Sequence, residues 1–170
     1  AITKSALFSS LSKNGVAFIN MDDSFISKMS TPCKKLEYSF TKSSDFQGSW
    51  SSDKKTLTIN NIAINISTAS ETMGINALAV FSIASHLGLA DYIIKTQIES
   101  FQLPPGRGNF LKFQDITVIN DSYNANLESA RSGINNLTSL SEGKRKIAVI
   151  GDMLELGELE KVHHQILGKY

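Results

Sequence analysis

The chain has one cysteine, Cys33, in 170 residues. It can therefore form no disulfide within itself and no multi-cysteine metal site, a usage that suits a reducing compartment. Neither sign of charge prevails: the formal net charge is +1, which leaves no electrostatic case for binding nucleic acid or an anionic membrane surface. No apolar run approaches the roughly 18 residues needed to span a bilayer. A basic stretch followed by an apolar core, the mark of a secretory leader, is also missing at the N-terminus. The expectation is a cytoplasmic protein, in which the sequons at Asn65, Asn120 and Asn136 are accidental. Prolines number three, and two sit together at Pro104-Pro105. What remains is an ordinary globular composition, 41% hydrophobic and 19% charged, enough for one domain or two small ones.

The most informative stretch is ITVINDSYNAN, residues 116–126. Ile116, Val118 and Ile119 read as a buried parallel strand, and it opens into a cluster of hydrogen-bonding side chains: Asn120, Asp121, Ser122, Tyr123, Asn124 and Asn126. Ligands of open α/β sheets sit at such strand exits. Residues 127–140 follow with apolar positions 127, 130, 134, 137 and 140, the spacing of an amphipathic helix. Asn126 or Asn124 is placed as its N-cap, with Glu128 suited to the helix dipole. These polar residues either cap and turn the chain or bind a ligand; six are more than a turn requires.

Upstream, residues 2–11 read as a short helix with Ile2, Ala6, Leu7 and Leu11 on one side, ended by Asn14-Gly15. Residues 16–19 read as a strand with the polar exit Asn20-Met21-Asp22-Asp23, where the two carboxylates either cap a helix or face a ligand. From 36 to 67 the apolar residues alternate between Asn, Ser, Asp and Gly breaks, the pattern of an antiparallel meander. Asn60-Asn61 is placed as its hairpin turn. Residues 73–86 are apolar or small almost all round, so a helix buried between layers is expected. Asn76 near its start then needs a protein or ligand partner, and His86 near its end is read as structural. Residues 90–101 form an amphipathic helix, which Leu103-Pro104-Pro105-Gly106-Arg107-Gly108 stops. That break is the expected domain boundary and hinge. Arg107, between two glycines, is open to a phosphate or carboxylate. Residues 146–152 read as a second buried strand ending in Gly151-Asp152, and 158–170 as a further helix. Its neighbours His163 and His164 point about 100° apart and suit a shared metal poorly. The glycine–lysine pairs at 143–144 and 168–169 lack the rest of a phosphate loop.

Taken together, the motif Asp121-Ser-Tyr-Asn-Ala-Asn126, Gly106-Arg107-Gly108 before it, Gly151-Asp-Met-Leu-Glu-Leu-Gly157 after it, His164 with Gly168, and the Asn76-Ala-Leu-Ala helix resemble the Mur ligases in order and spacing. The resemblance runs from about Gly15 to the end and is nearest to the branch that joins D-alanyl-D-alanine to UDP-N-acetylmuramoyl-tripeptide. It implies an α/β fold in two parts. Residues 1–102 correspond to the back of the central ATP-binding domain with its small antiparallel sheet, and 103–170 to the first half of a Rossmann-like C-terminal domain with parallel strands. It further implies ATP and Mg2+ as cofactors, a monomeric full-length enzyme, and a phosphate loop and metal-binding residues outside this stretch, so that the stretch alone is inactive. By the family pattern Asn76 faces adenine; Arg107 and Asp121 face the ribose and phosphates; Asn124 and Asn126 lie on a loop closing over the nucleotide. Asp152, with Ser122 and Tyr123, lies towards the incoming dipeptide. Leu127 stands where the family usually has proline, and Thr72 where relatives commonly carry histidine. Two alternatives remain: a ligase of folylpolyglutamate synthase type, against which the Asp121 to Asn126 loop argues, and a non-catalytic nucleotide-binding module.

Overall fold

The structure, a computed structural model, describes residues 2–67, 70–140, 143 and 145–170. Lys144 and the side chains of Ile2 and Leu140, which figured in the helix and phosphate-loop expectations, lie outside what is described. Backbone contacts divide the chain into two units, Ala1–Phe101 and Gln102–Tyr170.

In the first unit, helix α1 (Ile2–Ser9) precedes strands β1 (Val16–Asn20), β2 (Lys34–Ser39), β3 (Phe46–Ser51), β4 (Thr56–Ile59) and β5 (Ile62–Asn65), and then helices α2 (Glu71–His86) and α3 (Asp91–Ser100). The strands form one sheet in sequence order. Only part of the expected meander is antiparallel: β3, β4 and β5 pair that way, whereas β2 is parallel to both β1 and β3. A parallel connection normally needs a dozen or more residues. Here residues 40–45 suffice because the register is staggered. Only Tyr38 and Ser39 at the end of β2 pair with Phe46 and Gln47 at the start of β3.

The β4–β5 turn is formed by Asn60 and Asn61, both left-handed with φ of 51° and 62°, a conformation asparagine tolerates better than most residues. The core lies where this hairpin meets the helices. Leu57, Ile59 and Ile64 pack with Leu78 and Phe81 of α2 and Ile94 of α3, all essentially inaccessible, and Phe46 and Trp50 lean on the cluster. Each such apolar side chain contributes roughly 1.5 to 3 kcal/mol by leaving water. Against expectation, α2 is not covered all round: Val80 is 52% exposed, and Asn76 is also exposed. Among the described residues α2 meets the sheet and α3 on one side only, so apolar composition overstated its burial. His86 meets the edge of Phe18, with ring centroids 5.7 Å apart, in keeping with a structural role.

The second unit consists of β6 (Asn109–Phe113), β7 (Ile116–Asn120), α4 (Leu127–Leu140) and α5 (Glu160–Gly168), the last entered through a 3-10 turn, Gly157–Leu159. β6 and β7 are an antiparallel hairpin, turned at Gln114 with φ 52°. Two expectations need correction. β7 is not a buried parallel strand, since Ile116 is 65% exposed and its ladder partner is β6. Residues 146–152 form no ladder among the described residues, and Val149 is 94% exposed. Apolar β-branched residues favour extended backbone, but a strand also needs a neighbour to accept its hydrogen bonds. Among the described residues the parallel pairing of this α/β chain therefore lies in the first unit.

Candidate functional site

The polar cluster is assembled by a clasp at the open end of the β6–β7 hairpin. Gly106 and Gly108 both adopt left-handed backbone, φ 79° and 84°, which curls residues 104–108 back onto the exit of β7. The Gly108 amide donates to Asn120 O at 2.8 Å and the Tyr123 amide to Gly106 O at 3.1 Å. A Cβ on Gly106 would lie 3.3 Å from the Tyr123 nitrogen. The Arg107 amide donates to Pro104 O and Asn109 Oδ1, both at 3.2 Å, and Asn109 Nδ2 donates to Leu103 O at 2.8 Å. The proline–glycine stretch expected to be a hinge is thus tied into the second unit.

Between the glycines, the Arg107 guanidinium lies over the Tyr123 ring, 3.7 Å from its centroid. Among the described residues no carboxylate pairs with it. The loop beyond is ordered by its own side chains. Asn120 Oδ1 accepts from the Ser122 hydroxyl at 2.7 Å and its amide at 3.3 Å, and Asn124 Oδ1 accepts from the Ala125 amide at 2.8 Å. Asn126 is the N-cap of α4: its Oδ1 accepts from the Ser129 amide while Ser129 Oγ accepts from the Asn126 amide, each at 2.9 Å. This reciprocal pair satisfies two donors at a helix start. The choice between Asn124 and Asn126 as cap is settled for Asn126. Arg107, Asp121, Ser122, Tyr123 and Asn124 are brought together, all exposed, next to the positive end of the α4 dipole.

Asp152 belongs to another part of the second unit. Its carboxylate is 91% exposed, whereas Met153 beside it is buried and donates its amide to His164 Nε2 at 3.0 Å. The other ring nitrogen, Nδ1, then carries the proton and donates to Glu160 O at 2.8 Å, which fixes a neutral tautomer. His164 is therefore the latch of the Asp152 loop, a role the adjacent histidines did not suggest. In the sequence it is marked only by its place with Gly168 in the family pattern. Asp152, Gly157, Glu158, Glu160, Lys161 and His164 line an open cleft of about 500 Å³, to which none of residues 121–126 contributes.

In the first unit Asn76 stands exposed, one helical turn after Thr72. Thr72 and Ile75 line, with Asn20, Asp22, Asp23, Phe40 and Glu71, a hollow of about 280 Å³. Of the roles left open for the two aspartates, Asp23 takes the cap and Asp22 takes neither. Asp23 Oδ1 accepts the amides of Phe25 and Ile26 at 2.8 Å each, capping the 3-10 turn Ile26–Lys28. Asp22 instead ties the exit of β1 to that of β2. It accepts from the Ser39 hydroxyl at 2.5 Å, the Thr41 hydroxyl at 2.6 Å and the Phe40 amide at 2.7 Å. Partial burial pushes its pKa up, but these hydrogen bonds from Ser39, Thr41 and Phe40 together outweigh it and hold the carboxyl below its ordinary value. Burial, followed by the fields of Asp23 and Asp22, pushes the Tyr38 hydroxyl up. Among the described residues no three His, Cys, Asp or Glu side chains converge on a point that could hold a metal ion.

Residues 106–170 match the protein family described as Mur ligase, glutamate ligase domain. Over 99% of its length the chain is 31% identical to the UDP-N-acetylmuramoyl-tripeptide--D-alanyl-D-alanine ligase of Buchnera aphidicola, and it covers 38% of that protein. Its likeness to the enzyme of the same name from Rickettsia prowazekii is 30% identity over 98% of this chain and 40% of the relative. The chain thus spans about two-fifths of the length of the curated relatives it matches. In fold it is similar to MurF from Acinetobacter baumannii, with a TM-score of 0.82 and 24% identity over 97% of this chain and 38% of that one. It is likewise similar to MurF ligase from Thermotoga maritima in complex with ADP, with a TM-score of 0.76 and 22% identity over 99% of this chain and 40% of that one.

Proposed function

The chain belongs to the Mur ligase family, and from that premise we propose that it is part of an ATP-dependent ligase joining D-alanyl-D-alanine to UDP-N-acetylmuramoyl-tripeptide in peptidoglycan precursor synthesis. In this reading residues 1–102 are the back of the central ATP-binding domain, and 103–170 are the first half of the C-terminal Rossmann-like domain. The observation that carries it is the clasp. An arginine with no carboxylate partner among the described residues is held beside an amide-rich loop at a helix N-terminus, a donor set suited to phosphate.

The reaction needs no protein nucleophile. The tripeptide carboxylate takes the γ-phosphoryl group of ATP, releasing ADP and leaving an acyl phosphate. The dipeptide amine adds to the activated carbonyl, and the tetrahedral intermediate collapses by breaking its C–O bond to phosphate. The amide remains and the amine proton leaves. Such chemistry depends on holding anionic groups in line and neutralising their charge. Arg107 does this for the phosphates, and Asp121 accepts from the ribose hydroxyls. Asn124 offers its amide to the nucleotide, and Asn126 fixes the loop as the cap of α4. Asn76 faces adenine, and Asp152 with Ser122 faces the dipeptide. Mg2+, the family's expected ion, finds no complete set of ligands among the described residues.

No helix among the described residues is long and apolar enough to cross a membrane. UDP-linked substrates suit an enzyme acting in the cytoplasm, and the family resemblance implies a monomer. The full-length protein should release phosphate from ATP only when both UDP-N-acetylmuramoyl-tripeptide and D-alanyl-D-alanine are present, and the 170-residue chain alone should release none. Arg107→Ala should raise the KM for ATP by about 10- to 100-fold, the worth of charge-assisted hydrogen bonds. Phosphate release indifferent to the dipeptide would overturn the assignment.

A further inference from the structure

We infer that Tyr123 is a positioning residue: its ring is the platform that aims the Arg107 guanidinium at the nucleotide phosphates, rather than a surface that contacts the dipeptide. This rests on the nucleotide-binding role proposed above for Arg107. A guanidinium is planar, and its five N–H donors all lie in that plane. Stacking on an aromatic ring therefore occupies the weakly hydrated face and leaves every donor on the edge available for an anion. The Arg107 guanidinium carbon lies over the Tyr123 ring, 3.7 Å from its centroid, the separation of such a face contact. Its chain neighbours cannot restrain it, since Gly106 and Gly108 have no side chains. Without the ring, a long flexible arginine would have to lose its rotamer freedom at the moment of binding.

Tyr123 is itself held to the turn it serves. Its amide bonds to Gly106 O at 3.1 Å, and a Cβ on Gly106 would come within 3.4 Å of the Tyr123 Cβ, so ring and turn are fixed to each other. Its hydroxyl makes no hydrogen bond among the described residues. That separates it from a second arginine–tyrosine pair among the described residues of the unit. There Arg131 lies 4.5 Å from the Tyr170 ring while the Tyr170 hydroxyl donates to Asn135 at 2.7 Å, as a tyrosine with a packing role should. At position 123 the face of the ring, and not the hydroxyl, is what the fold uses.

The test is steady-state kinetics on the full-length ligase with Tyr123→Phe, Tyr123→Trp, Tyr123→Leu, Arg107→Ala and the Tyr123→Leu/Arg107→Ala double variant. Tyr123→Leu should raise the KM for ATP about two- to five-fold, as expected for loss of an exposed cation–π contact, and leave the KM for D-alanyl-D-alanine unchanged. Tyr123→Phe and Tyr123→Trp, which keep a ring face, should behave as the wild type. The double variant should be no worse than Arg107→Ala. The inference fails if the leucine and alanine effects multiply, if phenylalanine is as damaging as leucine, or if the dipeptide KM is the one that rises. Should Arg107→Ala leave the KM for ATP unchanged, the nucleotide reading falls and takes this inference with it. Should only the Arg107 variant raise it, the inference alone falls.

Discussion

Gly74 provides a test in which two well-calibrated effects oppose each other. It lies within α2, where replacing glycine by alanine normally stabilises a helix by about 1 kcal/mol. Here a Cβ would sit 2.6 Å from Trp50 Cε3 and 2.8 Å from Cδ2, about 1 Å inside a normal carbon–carbon contact. The indole cannot yield easily. It projects from β3, whose Trp50 pairs with the buried Leu57, and its Nε1–H donates to Ser52 Oγ at 3.0 Å. Forcing a methyl group into such a contact costs about 1 to 3 kcal/mol, so Gly74→Ala should destabilise by a net amount of up to about 2 kcal/mol. In a Trp50→Leu background the obstruction is gone and the propensity gain should emerge, making the same change stabilising by up to about 1 kcal/mol. Urea denaturation followed by far-UV circular dichroism measures both legs of this cycle. Stabilisation by Gly74→Ala with Trp50 in place would refute the close packing of α2 on β3, and with it the height at which α2 presents Asn76.

Three further outcomes are expected. Asp22→Asn should destabilise the first unit on the order of 1 kcal/mol at neutral pH, because the Ser39 and Thr41 donors lose a charged acceptor. Since the folded pKa of Asp22 is lowered, the wild-type advantage is full above the ordinary carboxylate range. It vanishes as the pH falls through the lowered value, which urea midpoints at several acid pH values would show. Asn126→Ala should cost about 1 kcal/mol by removing the cap of α4, while Asn126→Gly should cost only a few tenths, read from thermal unfolding. His164→Ala should leave the buried Met153 amide without its acceptor, at about 1 to 3 kcal/mol. Hydrogen exchange at that amide should accelerate, and an unchanged rate would mean that His164 does not hold the Asp152 loop.

Much of the candidate site could be read before any coordinates because its signals are local. The concentration of amides from Asn120 to Asn126, the glycines flanking Arg107 and the cap before α4 all depend on residues a few positions apart. The aspartates after β1 show the limit. Asp23 caps the turn three residues on, as a local rule allows, whereas Asp22 is engaged by Ser39 and Thr41, which only the pairing of β1 with β2 brings close. The apolar segments fared similarly. Leu57, Ile59 and Ile64 alternate and are buried as alternation implies. The run from Ile147 to Ile150 has the same β-forming composition yet stands in solvent among the described residues, because composition cannot supply the partner strand.

From its residues alone this chain sets where backbone must turn and where helices begin: asparagines at positive φ between β4 and β5, glycines about Arg107, and an Asn126–Ser129 pair at the start of α4. Those are choices of φ, ψ and near-neighbour hydrogen bonds, made within a few residues. The folded chain decided that β2 runs parallel to both its neighbours, that β7 pairs antiparallel with β6, and that Arg107 rests on Tyr123. Each of these joins groups distant along the chain, and their energies depend on which surfaces meet, a quantity that no short stretch of sequence contains.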